Sequence, residues 1–140
     1  MIAYLDSSVV LRHILKGEVS IRHAFAVGRV ASSELLEVEC RRVIHRCRME
    51  GELSDEGLVS AMDRLEAVLA GLSLMELSAK VTRRAMNAFP VSVKTLDALH
   101  LSSALALSDA SPEETVLVFT HAAAMNRCAK ALGFRAPLAG

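Results

Sequence analysis

Four consecutive apolar residues, Val116–Phe119, and a matching run at Ile2–Leu5 restrict the fold more than any other feature of this chain. A strand with one face in water alternates apolar and polar side chains, whereas a strand apolar on both faces must be covered on both. Around these runs the pattern has helical period. Strands are predicted at Ile2–Leu5, Arg29–Ser32, Leu72–Leu77, Thr115–Phe119 and Phe134–Pro137. Helices are predicted over 9–15, 18–27, 34–49, 55–70, 78–88, 96–108 and 122–132, with Ser33, Ser54 and Thr95 as caps and Gly17, Gly51, Gly71, Pro90 and Gly133 as stops. Strands alternating with helices imply an α/β fold, here a three-layer α/β/α sandwich with a central, mostly parallel sheet. No internal repeat, low-complexity tract or linker divides the chain, so residues 1–140 read as one domain.

Composition narrows the function classes. Aromatic residues make up only 4% of the chain, so the core must come from Leu, Val, Ala and Met. Lysine and arginine number 16 and aspartate and glutamate 16, so any nucleic-acid contact has to rest on local basic patches instead of a global field. No apolar run is long enough to span a bilayer, and no charged-then-apolar leader opens the sequence, so a cytoplasmic protein without membrane contact is expected. Cys40, Cys47 and Cys128 form neither an even disulfide set nor a metal-binding pair, and read as core thiols.

Three acids stand where chemistry gathers in such folds. Asp6 follows the first strand; it could cap the next helix, but Ser7 and Ser8 could do so equally well. Glu39 borders an apolar helical stripe of Leu36, Cys40, Val43 and Cys47. An acid there costs free energy unless compensated. Arg42 or Arg46 on the same edge would do this, and so would a metal ion; the residues alone favour the salt bridge. Asp97 sits in the first turn of a later helix, where the dipole also welcomes it. His100, one turn on, is expected to pack or to bond a carboxylate and not to bind metal. Converging carboxylates repel unless neutralised, and a hard divalent cation such as Mg²⁺ or Mn²⁺ does that best. The last strand ends at Thr120–His121, and the junction beyond it holds only Ala122, Ala123 and Ala124.

The blocks "YLDSSVVLRHIL", "SSELLEVECRRVIHR", "KTLDALHLSSALAL" and "VFTHAAAMNRCAKALGF" occur in the order seen in PIN-domain proteins. They most resemble the small VapC-type toxins of prokaryotic toxin–antitoxin pairs. The resemblance implies a PIN-like α/β/α domain and a Mg²⁺- or Mn²⁺-dependent ribonuclease. It places the metal-binding and catalytic acids on Asp6, Glu39 and Asp97, with Ser7, Ser8 and Thr120 in support. The family's fourth, least constant acid falls on Ala122, a departure that weakens any second metal site most. RNA contacts are expected from Arg12, Arg42, Arg46 and Lys94. The partners implied are an RNA substrate, a cognate antitoxin and a second copy of the chain.

Two other readings compete. A PIN fold with impaired catalysis, serving only to bind RNA or protein, has Ala122 in its favour. A phosphoacceptor receiver domain needs an Asp after its middle strand and a Lys after a late one; here Ser78 and Thr120–His121 stand there instead.

Overall fold

All 140 residues are described by a computed structural model of the chain. The first strand, β1 (Ile2–Leu5), leads into helices α1 (Ser7–Lys16) and α2 (Ser20–Phe25). β2 (Arg29–Ser33) precedes α3 (Leu35–Met49) and α4 (Asp55–Ala70). β3 (Ser73–Met75) precedes α5 (Ala79–Ala85) and α6 (Thr95–Ala110), and β4 (Val116–Phe119) is followed by α7 (Ala123–Ala131). The strands form one sheet in the order β3-β2-β1-β4, and every pairing is parallel. β1 is therefore central, with Ile2 opposite Arg29 on one side and Val116 on the other.

The apolar strands are buried on both faces, as their composition demands. Because successive side chains point to opposite faces, Ala3, Leu5, Leu117 and Phe119 pack in one core with Val9, Ile14, Leu36, Cys40, Ile44 and Leu65, from α1, α3 and α4. Ile2, Tyr4, Val116 and Val118 pack in a second core with Leu101, Leu107, Met125 and Cys128, from α6 and α7. These two cores are the two interlayer spaces of an α/β/α sandwich. All three cysteines are free and buried. Burial, reinforced by the charges of Glu39 and Asp6, pushes the Cys40 thiol up to about 12, so it stays a neutral core group.

Local chemistry explains the ends. Ser54 and Ser78 accept hydrogen bonds from Gly57 and Val81, capping α4 and α5. Gly17 closes α1 at φ +69°, where its N–H reaches the carbonyls of Arg12 and His13, a conformation that suits a residue without Cβ. Three expectations need correction. Thr95 does not cap α6: it is the first helical residue, and Lys94 occupies the cap with no side-chain bond. The expected strand Phe134–Pro137 shrinks to one bridge, Arg135 with Leu117, because Pro137 has no N–H to extend the ladder. On α3 the buried stripe is Leu36, Cys40, Ile44 and Cys47; Val43 is only half-buried, since the spacing of four places Ile44 on the core side.

Leu65 on α4 is fully buried in the first core. Leu65→Ala is expected to lower unfolding free energy in urea by about 2–5 kcal/mol, the cost of a cavity in a packed core. A loss below about 1 kcal/mol would mean that α4 does not seal that core.

Candidate active site

From β1 the chain moves through β2 to β3 on one side, then crosses to β4 on the other side of β1. The crossovers diverge at the carboxyl ends of β1 and β4, and such a divergence opens a crevice that side chains can line. Asp6 follows β1 and Thr120 follows β4. Thr120 Oγ1 donates to Asp6 Oδ2 at 2.6 Å across this edge, with both residues buried.

Asp6 is also the N-cap of α1. Its Oδ1 accepts from the Ser8 N–H at 2.8 Å and from the Ser8 hydroxyl. The capping role is thus held by Asp6 itself, and the serines do not replace it. Ser8 Oγ in turn accepts from the His121 N–H, and Thr120 Oγ1 from the Ala122 N–H, both at 3.0 Å. Each hydroxyl donates to the carboxylate and accepts from the β4–α7 junction, which holds Asp6 in one orientation. The Ala122 position caps α7 without a side-chain bond.

Glu39 projects from α3 over the same edge. Ser7 Oγ donates to its Oε2 at 3.2 Å, and His100 Nε2 donates to its Oε1 at 2.6 Å. The salt bridge expected to Arg42 or Arg46 does not form. Those arginines are exposed and flank a surface hollow with Val43, His45 and Met49. Helical rotation turns them outward while Glu39 leans toward α6. His100 is buried and bonds a carboxylate, as expected; its Nδ1 is 2.8 Å from the Tyr4 hydroxyl.

Asp97 is half-buried in the first turn of α6. Burial pushes its carboxyl up, and the negative charge of Asp6 adds to the shift; His100 opposes it, Glu39 adds again and Lys94 opposes. The three acids therefore share one electrostatic environment, a clustering typical of sites that hold cations. No three carboxylate, imidazole or thiol groups converge closely enough to form a ready-made ligand cluster. The donors are nonetheless carboxylate oxygens, and Mg²⁺ keeps several of its waters and needs few protein ligands, so the residues fit a hard cation by donor type.

Among the expected cationic contacts, Lys94 is exposed and its charge reaches Asp97. Arg12 is exposed, pairs with Glu18 at 3.5 Å, and its charge reaches His121 beside Asp6. Arg42 and Arg46 form no ion pair with any of the three acids. The largest cavity, about 570 Å³ and mostly apolar, lies between α5 and α6 near Met86, Phe89 and Val93, and contains none of the acids. The contacts of Tyr4 with His100 and of Ser20 with His121 (3.0 Å) went unread in the sequence. The first had a usable signal: Tyr4 lies two residues before Asp6 and His100 three after Asp97, so each shares its acid's face.

No curated protein matches the chain significantly. Among solved structures it is similar to the crystal structure of VapBC2 from Rickettsia felis bound to a DNA fragment from their promoter. The TM-score is 0.69 with 16% identity, and the match covers 97% of each chain, a likeness of fold. The PIN domain family model matches residues 3–121. With an all-parallel sheet and acids gathered past the ends of its strands, the chain belongs to the PIN-domain family.

Proposed function

We propose that this chain is a Mg²⁺- or Mn²⁺-dependent endoribonuclease and the toxin of a type II toxin–antitoxin pair. The observation that carries this reading is the shared environment of Asp6, Glu39 and Asp97 at the β1/β4 edge, where burial, and after it the charges of Asp6 and Glu39, push Asp97 up. Asp6, Glu39 and Asp97 would hold the cation, which supplies an activated water and offsets charge on the phosphate. Thr120, Ser8 and Ser7 hold the carboxylates of Asp6 and Glu39 in place by the bonds already described. Lys94, whose charge reaches Asp97, and Arg12, whose charge reaches His121, are proposed to take RNA phosphates. Arg42 and Arg46 would contact only more distant parts of a longer RNA.

RNA as substrate and an antitoxin as partner follow from the resemblance to VapC-type toxins. The antitoxin reading is further supported by the similarity to the toxin-bearing VapBC2 structure. Exposed apolar side chains, among them Val38, Met49, Val59 and Met86, provide surface for an antitoxin or for a second copy of the chain. No helix is long and apolar enough to cross a membrane, and a cytoplasmic location is part of the proposal.

A second reading, a PIN fold that binds RNA or protein without cleaving, draws on Ala122 and on the absence of a ready-made ligand cluster. Cleavage assays separate the two. Asp6→Asn, Glu39→Gln and Asp97→Asn are each expected to lower Mn²⁺-dependent cleavage of RNA about 100-fold or more, the scale of losing a principal electrostatic contact. A wild-type chain that cleaves nothing with either metal would favour the second reading. Wild-type rates in all three variants would overturn the site.

Ala122→Asp tests the fourth corner. An aspartate at this uncapped position is expected to stabilise α7 by about 1 kcal/mol, read as a higher melting temperature. It is also expected to tighten Mn²⁺ binding. Unchanged Mn²⁺ affinity would show that the fourth corner, position 122, plays no part in the site.

A further inference from the structure

Resting on the metal-site reading above, we propose that His100 is a positioning residue that aims the Glu39 carboxylate, with Tyr4 fixing the His100 ring. Both side chains are buried, at 1% and 0% exposure, among apolar neighbours that include Leu101 and Ala104. Packing alone would be served by an apolar side chain there, and a buried polar ring is tolerated only when its nitrogens are bonded. Both are. Nε2 donates to Glu39 Oε1 at 2.6 Å, and Nδ1 lies in hydrogen-bonding contact with the Tyr4 hydroxyl at 2.8 Å. The rings meet edge to face, 5.8 Å apart at 72°, so the imidazole cannot rotate without losing both contacts.

The placement gives the contact its purpose. Tyr4 lies on β1 two residues before Asp6, and His100 on α6 one turn after Asp97. Glu39 comes from α3, in the opposite helical layer. The relay Tyr4–His100–Glu39 therefore ties together the three elements that carry the three acids. Glutamate has three rotatable side-chain bonds, and Ser7 alone, at 3.2 Å, restrains only its Oε2. His100 restrains the other oxygen and ties its position to the strand and helix that hold the remaining acids. Groups that orient metal-binding carboxylates commonly change metal affinity about 10–100-fold when removed.

The test is a double-mutant cycle on Mn²⁺ affinity, measured by electron paramagnetic resonance of free Mn²⁺ with the full chain, with melting temperature recorded alongside. His100→Phe keeps an aromatic ring, though a larger one, and loses both bonds; it is expected to weaken Mn²⁺ binding about 10–100-fold. Tyr4→Phe removes the ring's anchor, together with the hydroxyl's contacts to Ser103 and Ser32, and is expected to weaken binding about threefold, below that range. In a Glu39→Gln background neither substitution should weaken binding further, a result that general loosening of the fold would not produce. Wild-type affinity in folded His100→Phe would overturn the proposal, and so would an equal loss with and without Glu39→Gln. If His100→Phe does not fold, Tyr4→Phe decides by the same cycle, and wild-type affinity there overturns the proposal. Asp6→Asn distinguishes the two levels: loss of binding in Asp6→Asn but not in His100→Phe leaves the metal site standing and removes only His100. A wild-type chain that binds no Mn²⁺ overturns both.

Discussion

Parallel pairing of β1 with β2 on one side and β4 on the other is the constraint from which the rest of the structure follows. A parallel neighbour on each side requires crossover helices on both faces, so β1 has no edge in water and no polar face. Its four residues are all buried, and alternate ones belong to different cores. The same pairing aligns the ends of β1 and β4, with Leu5 opposite Phe119, so Asp6 and Thr120 emerge side by side. The bond between them is a direct product of strand register.

At that edge the two helical layers come within reach of each other. α3 belongs to the layer over Ala3 and Leu5, and α6 to the layer over Ile2 and Tyr4. Below the strand ends the sheet separates them, but beyond it Glu39 can cross to His100. Burial in this crevice, joined by the negative charges of Asp6 and then Glu39, raises the proton affinity of Asp97. Hydroxyl and imidazole groups hold the other two carboxylates: Ser8 and Thr120 bond Asp6, and Ser7 and His100 bond Glu39. A hydroxyl donor stabilises a carboxylate without cancelling its charge.

Helices were legible where capping chemistry is strong. Ser54 caps α4 as its position suggests, whereas Ser78, read as the first helical residue, proves to be the cap of α5. Thr95 misled because threonine suits a cap by type, whereas the backbone begins α6 at that residue and leaves Lys94 as the cap. The weak final strand misled for the converse reason, since apolar residues near a chain end suggest a ladder that Pro137 cannot continue. Glu39 shows the limit of helical-wheel reasoning. The wheel placed it correctly at the edge of the core, but Arg42 and Arg46 are sequence neighbours and His100 is 61 residues away. Local spacing ranks only local partners.

The sequence by itself determined the alternation of strands and helices, the burial of both sheet faces and the separate positions of Asp6 after a strand, Glu39 within a helix and Asp97 in a helix's first turn. These follow from hydrophobic period and turn chemistry, which act over a few residues. Tertiary structure alone decided the strand order and, through it, which side chains meet: Asp6 with Thr120, Glu39 with His100, and His100 with Tyr4. Such contacts span 61 to 114 residues of chain, and only the register of the parallel sheet and the crossing of helices over its edge bring them within hydrogen-bonding distance.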